Sequence, residues 1–242
     1  MLEIAIRNDN VVRGKLFLSA RHMRCFTTLE PKVISIAYAF REERRRVERF
    51  IERSFHDSYG ARITQHYPTL MSVQDCAGRI LAAVGFRASS GKRLFLEHYL
   101  TRPVEHLLSA VAGTDVDRRG IVEIGGLASA GKGASIFLFV AVAAYLQQQG
   151  FTHAVITATK QLHRAFAFMG FEPFELAPAD PRRLPDGGRA WGSYYATDPK
   201  VLAGGIGPCF RRLECYLPAE NNADLGRLFS RLHYRTDENR VR

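Results

Sequence analysis

Hydrophobic and polar positions follow strand-type and helix-type periods in turn along most of this chain. Short apolar runs bounded by turn residues predict β-strands, and apolar residues spaced three and four apart predict amphipathic helices. The pattern predicts strands over residues 33–40, 69–75, 79–87, 121–127, 152–158 and 171–176, and helices over residues 41–55, 103–112, 134–149 and 160–169. Residues 94–99 fit either a strand or a short segment. This order predicts an α/β fold built on a mixed sheet.

The same pattern divides the chain into three parts. Residues 1–30 show no clear period, and their fold is left open. Residues 31–178 hold the regular elements and are predicted to form the core. Residues 179–242 begin with a Pro/Gly-rich stretch to about residue 210, which predicts a long loop of functional or disordered type. They end in a short amphipathic helix that we expect to pack on the core, marked by Leu225, Leu228, Phe229 and Leu232.

The chain of 242 residues carries a formal net charge of +10. This excess of positive charge suits an acidic protein partner, a phosphate-rich ligand or an anionic membrane. Nucleic acid fits least well, because the arginines form short separate clusters and no zinc-finger or RNP-type pattern accompanies them. The sequence therefore predicts no nucleic-acid partner.

The cysteines, the N-terminal segment and the longest apolar stretch indicate where in the cell the protein is expected. The four cysteines form no Cys-x-x-Cys pair, and no histidine spacing completes a metal site, so we expect free thiols and no metal. The N-terminus lacks the charged and then apolar pattern of a signal peptide. The longest apolar stretch, about residues 134–146, is too short to span a bilayer. A cytoplasmic protein without a transmembrane segment is expected.

The segment from Gly120 to Ser135 holds most of the candidate chemistry. An apolar run with one carboxylate, Glu123, leads into a Gly-rich turn and then an apolar helix. Backbone N–H groups at a helix start, at the positive end of the helix dipole, suit a phosphate.

Residues 126–133 match the nucleotide-binding pattern G-x-x-x-x-G-K, but Gly133 stands where Ser or Thr would bind magnesium. The strand at 152–158 also lacks a final Asp, so NTP hydrolysis is disfavoured. The phosphopantetheine of coenzyme A or of acyl carrier protein, which needs no metal, and a turn without a ligand remain open.

Residues 121–176 resemble the GNAT acyltransferase superfamily in their order of strand, small-residue turn, long helix, strand, short helix and strand. The turn Ser129-Ala-Gly-Lys-Gly133 keeps two glycines of the usual phosphate motif and lacks its leading Arg or Gln. The resemblance implies a GNAT-like fold with a mixed, mostly antiparallel central sheet flanked by helices.

Two narrower resemblances sharpen this interpretation. Glu123-Ile-Gly-Gly-Leu-Ala-Ser129 and the hairpin from Asp75 to Arg87 are similar to acyl-homoserine lactone synthases and N-acyl amino acid synthases. Three further motifs resemble the thermostable hemolysin family, itself similar to these synthases: Leu94-Phe-Leu-Glu97-His-Tyr-Leu, Pro103-Val-Glu105 and Trp191-Gly-Ser-Tyr-Tyr195. This resemblance covers most of residues 30–205 and implies an acyltransferase.

N-acyl transfer requires an amine to lose a proton and a thioester carbonyl to be polarised. Glu123 lies in an otherwise apolar strand, where an isolated carboxylate would be costly to bury. It is therefore either a general base or the partner of an arginine such as Arg87. Strand alternation predicts that Glu123 shares a face with Gly125 and Leu127.

The remaining site residues follow from the resemblance. Glu97 is a second catalytic candidate, whereas Glu105 suits the first turn of a helix for dipole reasons. Tyr194 is a candidate general acid, because the helix at 160–169 offers no tyrosine. An oxyanion would meet a backbone N–H near residues 127–129. The expected donor-binding residues are Leu127, Ala128, Ser129, Gly131, Lys132, Gly133 and Ala134, and the expected substrate-binding residues are Arg87, Tyr99, Phe166, Trp191 and Tyr195.

The sequence thus predicts an N-acyltransferase that moves a fatty acyl group from acyl-ACP or acyl-CoA to a small amine or amino acid, with no tightly bound cofactor. The positive charge favours the acidic acyl carrier protein as a partner. Two alternatives remain open. One is a membrane-active protein that lyses cells directly, and the other is a non-catalytic module that binds acyl thioesters or phosphate.

Overall fold

The structure is a computed structural model and describes residues 1–8, 11–38, 42–89, 93–131 and 133–216. Three sequence predictions fall outside the described residues. They are the end of the strand predicted over residues 33–40, Lys132 of the phosphate turn, and the C-terminal amphipathic helix.

Nine strands form one sheet in this part of the chain. In chain order they are β1 (Leu2–Asn8), β2 (Val11–Leu18), β3 (Val33–Ala37), β4 (Thr69–Gln74), β5 (Ile80–Ala88), β6 (Ile121–Ser129), β7 (His153–Ala158), β8 (Phe174–Pro178) and β9 (Lys200–Gly205). Their spatial order is β2-β1-β3-β4-β5-β6-β7-β9-β8. β1 runs parallel to β3 and β6 parallel to β7, and the other neighbours are antiparallel. The predicted mixed, mostly antiparallel α/β fold is confirmed.

Helices cover both faces of the sheet. They are α1 (Ala20–Met23), α2 (Glu42–Tyr59), α3 (Val104–Ala112), α4 (Ser135–Gln148), α5 (Lys160–Phe168) and α6 (Ile206–Leu213). Between them lie 3₁₀ turns, of which Phe95–His98, Arg189–Trp191 and Tyr194–Thr197 bear on the site. α4 is apolar on nearly all sides and is mostly buried, as expected of a helix enclosed by the sheet and other elements.

The core lies on both faces because side chains alternate along each strand. Val84 of β5 packs in the cluster that contains α4, whereas its neighbour Ala83 packs in the cluster that contains α2. α2 turns Val47, Ile51 and Phe55, spaced four apart, towards the sheet. α2 and α4 therefore occupy opposite faces.

The first 30 residues, whose fold the sequence left open, extend this same sheet. β1 and β2 pair as antiparallel neighbours, and β1 pairs in parallel with β3. At the other end, β9 also belongs to the sheet. The sheet thus continues across both boundaries that the sequence suggests, near residues 30 and 178.

The Pro/Gly-rich region differs most from its prediction. The sequence predicts a loop from 178 to 210, but the structure contains β9 and α6 there. β9 inserts between β7 and β8, so the last strand predicted from the pattern pairs with β9 and not with β7. The buried run Val201-Leu-Ala203 is short and flanked by glycines and prolines, which hid its strand character.

Candidate active site

A gap opens between β6 and β7 near the centre of the sheet. The parallel pairing of these strands ends at Ile124 with Ile156. Beyond this point β6 continues to Ser129 along β5, and β7 continues to Ala158 along β9. The facing edges of β6 and β7 are therefore no longer hydrogen-bonded to each other, and their backbone groups need other partners.

A β-bulge in β6 lies beside this gap. Gly125 pairs with Gly85 and Ala128 pairs with Ala83, so two residues of β6 lie opposite one residue of β5. Gly126 takes a φ of +62°, which glycine adopts at little cost. The extra residue reverses the side-chain alternation. Leu127 consequently packs with the α4 cluster and Ala128 with the α2 cluster, so the prediction that Leu127 shares a face with Glu123 is wrong.

A cavity of about 410 Å³ opens on the α2 side of the gap. Its walls combine apolar residues with aromatic and small polar ones, among them Ser54, Ser58, Gln65, His66, Trp191 and Tyr194. No lysine or arginine is among the described lining residues. This cavity can take a small molecule that is partly polar.

A second cavity, of about 320 Å³, lies on the α4 side and is mostly apolar. Its lining includes Phe139, Phe166 and Phe171, whose rings pack in sequence with centroids 5.6 and 6.0 Å apart. Four residues border both cavities: Ile124, Leu127, Phe139 and Ile156. The two cavities therefore meet at the gap between β6 and β7.

Glu123 lies one residue before the gap and is only 1% exposed. Arg87 Nε donates to Oε2 at 2.6 Å, and the backbone N–H groups of Phe95 and Leu96 donate at 3.0 and 2.9 Å. The Tyr67 hydroxyl is a fourth hydrogen-bond partner. The ion pair with Arg87 that the sequence left open is therefore present.

Both oxygens of Glu123 are occupied by these donors, and Glu123 borders neither cavity. This geometry does not support Glu123 as a general base that contacts the substrate. It supports a positioning role, because the carboxylate ties the 3₁₀ turn at Phe95–His98 and the Tyr67 side chain to β6.

Tyr67 lies flat against two glycines that pair across β5 and β6. A Cβ atom on Gly85 would lie 2.6 Å from Cβ of Tyr67, and one on Gly125 would lie 2.2 Å from its hydroxyl oxygen. The Arg87 guanidinium lies 5.3 Å from the ring centroid, which suits a cation–π contact. Glycine at both positions is thus required for the ring to reach Glu123.

Glu97 does not join the gap. Its carboxylate accepts the backbone N–H groups of Leu94 and Val104 and two hydrogen bonds of 2.8 Å from Arg118, which also pairs with Glu105. Burial acts to raise the pKa of Glu97, but these hydrogen bonds outweigh it and lower the pKa to about 2. This geometry does not support a catalytic role for Glu97, since the side chain is an internal cap and ion-pair partner.

Tyr194 stands at the gap. Its hydroxyl donates to the carbonyl oxygen of Thr157 at 3.3 Å, just beyond the last paired residue of β7, and its ring borders the larger cavity. Burial raises its pKa strongly, so the hydroxyl keeps its proton near neutral pH. A protonated hydroxyl at this place can donate to a group held in the gap.

The five predicted substrate-binding residues separate into two groups. Tyr99 and Trp191 border the larger cavity, and Phe166 borders the apolar one. Arg87 and Tyr195 border neither cavity among the described lining. Arg87 is held by Glu123, and the Tyr195 hydroxyl hydrogen-bonds that of Tyr99 at 2.6 Å.

The predicted donor-binding turn leads from β6 into α4. Leu127, Ala128 and Ser129 border the larger cavity, whereas Gly131 and Ala134 do not. The N–H of Gly131 donates to the Ser129 hydroxyl at 3.2 Å, and the N–H of Ala134 donates to the carbonyl of Gly131 at 3.1 Å. The β6 end of the turn is therefore the part that faces the cavity.

Gly133 supports the turn from behind. Its φ is +75°, and a Cβ atom there would lie 2.5 Å from the carbonyl oxygen of Phe26. The segment after α1 consequently packs directly against the turn, which is a contact between distant parts of the chain that no local pattern predicts.

One pair of polar residues at the cavity was not predicted. His66 borders the larger cavity from the loop before β4, and its Nε2 lies 2.8 Å from Oε1 of Glu52 on α2. The side chain of His66 is 10% exposed and that of Glu52 is 43% exposed. The signal available in the sequence is the polar-aromatic run Gln65-His-Tyr67 in a loop without strand or helix periodicity.

Comparison with known proteins decides the family. The family model described as thermostable hemolysin matches residues 38–209. The chain belongs to the thermostable hemolysin family. The matched range contains every residue of the gap, of the Glu123 network and of the His66–Glu52 pair. No curated protein matches the chain.

Solved structures give the fold relationship of this family member. FeeM, an N-acyl amino acid synthase from uncultured soil microbes, shares 14% identity with a TM-score of 0.51, over 75% of this chain and 99% of its own. The acyl-homoserine lactone synthase LasI shares 15% identity at 0.46, over 72% and 89%. MesI, a CoA-dependent acyl-homoserine lactone synthase, shares 16% at 0.44, over 75% and 93%. The chain has an acyltransferase-like fold.

Two absences complete the description of the site. Within the described ranges, no group of three or more His, Cys, Asp or Glu side chains is arranged to hold a metal ion. No helix in the same part of the chain combines the length and apolar character needed to cross a membrane.

Proposed function

We propose that this protein is an N-acyltransferase that moves a fatty acyl group from a phosphopantetheine thioester to a small amine. One observation carries the proposal. The gap between β6 and β7 joins an apolar cavity on one face of the sheet to a polar and aromatic cavity on the other. A reaction between an apolar acyl chain and a polar acceptor requires two such compartments with one meeting point.

The pantetheine arm fits the gap itself. It is extended and contains two amides, so it can pair with the strand edges that β6 and β7 leave open after Ile124 and Ile156. The phosphate end would then lie towards Ser129 and the start of α4, where backbone N–H groups and the helix dipole favour negative charge. Lys132 belongs to this proposed donor site as a source of positive charge.

The acyl chain belongs in the cavity of about 320 Å³. Leu138, Val142, Leu146 and Phe166 give it an apolar wall, and burial of methylene groups there is favourable by roughly 0.8 kcal/mol each. A cavity of this size, lined by packed phenylalanines, fits a fatty chain better than an acetyl group. This is the main support for a fatty acyl donor.

The acceptor amine belongs in the larger cavity. Aromatic rings and small polar groups suit an amine with an apolar or aromatic body. A carboxylate next to the amine would need a cationic side chain to pair with, and the described lining contains no Lys or Arg. Amines and amino acids are both within the proposed class, and the lining favours amines without the carboxylate.

In the chemical step, the amine nitrogen attacks the thioester carbon at the gap, the N–C bond forms, and the C–S bond breaks. A backbone N–H near the bulge at Gly126 and Leu127 would meet the oxyanion. Tyr194, which holds its proton, would protonate the leaving thiolate.

The donor could be carried by coenzyme A or by acyl carrier protein. The net charge of +10 supports the acidic carrier protein, because opposite charge speeds encounter and orients the partners. We place the reaction in the cytoplasm, where the four free cysteines would stay reduced.

A thiol-release assay tests the function. Purified protein is given acyl-ACP or acyl-CoA of short, medium or long chain, with and without a panel of amines, and the N-acyl product is identified by mass spectrometry. We expect amine-dependent thiol release with fatty donors. Binding of donor without release for any amine would favour a non-catalytic binding module. Lysis of cells by the protein alone, with no donor, would favour a membrane-active protein.

A chain-length variant ties the activity to the apolar cavity. Ala143 borders this cavity, and Ala143→Leu would shorten it, so we expect preference to move towards shorter donors. Ala167→Leu on the exposed side of α5 adds the same volume elsewhere and should leave the preference unchanged. The same chain-length preference in both variants would show that the acyl chain does not bind in this cavity.

A further inference from the structure

The acceptor amine is protonated near neutral pH, so the site requires a group that removes a proton from it. This question rests on the proposed function and concerns the same cavity. Glu123 is not available, because four donors occupy its oxygens and it borders no cavity. Glu97 is bound by Arg118 and two backbone N–H groups away from the gap.

The tyrosines of the larger cavity are also unsuitable as bases. Burial raises the pKa of each of them, and their hydroxyl groups keep their protons near neutral pH: Tyr59, Tyr67, Tyr99 and Tyr194. These hydroxyls can donate a proton but cannot accept one from an amine. His66 is the remaining titratable side chain among the described residues that line the cavity.

The contact with Glu52 fixes the state of the His66 ring. A carboxylate accepts a hydrogen bond, so the nitrogen that faces it, Nε2, carries the hydrogen. The neutral ring then has its lone pair on Nδ1. Within the described residues Nδ1 has no hydrogen-bond partner. A carboxylate on one ring nitrogen also stabilises the charge that appears when the other accepts a proton.

We propose that His66 is the general base of the acyl transfer and that Glu52 is its positioning residue. Nδ1 of His66 takes one proton from the ammonium form of the acceptor, and the freed amine nitrogen attacks the thioester carbon to form the N–C bond. As the C–S bond breaks, its electron pair leaves with sulfur, which receives a proton from Tyr194 or from water. The second proton of the nitrogen replaces the one that Tyr194 or water has given. The imidazolium formed against Glu52 then returns its proton to solvent, and the products are an amide and a free thiol.

The test compares His66→Gln, Glu52→Gln and a matched control, His56→Gln. His56 is an exposed histidine on α2 that contacts Asp57 and borders neither cavity. For each full-length variant, kcat/KM for the amine is measured from about pH 5 to pH 9, a range that brackets imidazole titration. The binding constant for the acyl donor is measured in parallel.

We expect His66→Gln to lower kcat/KM for the amine by ~10²-fold or more and to change the dependence of kcat/KM on pH. Donor binding should be unchanged, and added imidazole should restore part of the rate. Glu52→Gln should lower kcat/KM by a smaller factor, while His56→Gln should behave as wild type.

Different failures have different meanings. A wild-type rate and pH profile in His66→Gln would overturn the assignment of the base and leave the acyltransferase in place. Absence of acyl transfer by the wild-type protein, with every donor and amine, would overturn the function and this assignment with it. If His66→Gln does not fold, ¹⁵N NMR of the wild-type histidines decides: a ring protonated on Nδ1 and not on Nε2 at neutral pH would contradict the proposal.

Discussion

The Glu123 network makes the clearest prediction about stability. Replacing Glu123 by Gln keeps the shape of the side chain but removes its charge and turns one acceptor oxygen into an NH₂ group. Arg87 Nε and the N–H of Phe95 both donate to Oε2, whereas the N–H of Leu96 donates to Oε1, so one amide oxygen cannot serve both sides. At least one buried N–H therefore loses its acceptor in a site that is 1% exposed.

The expected cost follows from these contacts. A buried donor that loses its partner costs roughly 1–3 kcal/mol. Breaking a buried ion pair by removing one partner costs about 3–5 kcal/mol, but Arg87 is 32% exposed and water relieves part of its charge. We expect Glu123→Gln to lower the free energy of unfolding by about 3 kcal/mol.

Urea unfolding at neutral pH, followed by circular dichroism, measures this change. Glu175→Gln is a matched control, because Glu175 is exposed and pairs with Lys200 at 3.7 Å, a contact worth less than about 1 kcal/mol. The double variant Arg87→Met/Glu123→Gln separates the contributions. It should recover only part of the loss, since the N–H groups of Phe95 and Leu96 still share one oxygen.

A contrary result would change the role of Glu123. If Glu123→Gln loses acyl transfer yet stays within about 1 kcal/mol of the wild-type stability, the carboxylate is not needed to hold the wall of the site. Glu123 would then have a role in the reaction that its packing does not explain.

Three further predictions test other parts of the structure. Gly133→Ala should cost at least ~2 kcal/mol of unfolding free energy by urea denaturation, because its Cβ would lie 2.5 Å from the Phe26 carbonyl at a positive φ, whereas Gly131→Ala has only the φ strain and should cost less. Since the pKa of Glu97 is lowered from 4.5 to about 2, its contribution is present above about pH 5 and is lost as the pH falls towards 2; Glu97→Gln should flatten the fall of stability over that range, and an equally steep curve would contradict this. Tyramine should be a better acceptor than tyrosine in the thiol-release assay, because the described cavity wall offers no cation to the carboxylate, and the opposite order would show that a cation reaches the cavity from elsewhere.

Local patterns predicted most of the elements between residues 33 and 169. The hairpin of β4 and β5, the helices α3, α4 and α5 and the order of strands around the Gly-rich turn agree with the structure. Their periodicity extends over six or more residues and therefore predicts them. β9 could not be predicted in this way, because its buried run is short and its neighbours are glycine and proline. Its strand conformation depends on its place between β7 and β8.

The site was less predictable than the fold because its contacts are long-range. The sequence singled out Glu123 as a carboxylate that is either a general base or the partner of an arginine such as Arg87, and the structure contains the ion pair with Arg87. The backbone N–H groups of Phe95 and Leu96 donate to Glu123 from 28 and 27 residues away in the chain, and residue type does not predict backbone donors. The bulge at Gly126 also reversed the face of Leu127, which strict alternation cannot anticipate.

The position of Glu123 gives a physical reason for burying a charge in this sheet. β6 loses its hydrogen bonds to β7 one residue later, at Ile124, so the backbone there must be held by something other than a ladder. A buried ion pair adds little net stability, but donors of fixed geometry specify one arrangement of the elements that carry them. Here they join the turn at Phe95, the Tyr67 loop and β5 to β6. The gap in which we propose that the donor arm binds therefore has a wall held by a carboxylate that borders neither cavity.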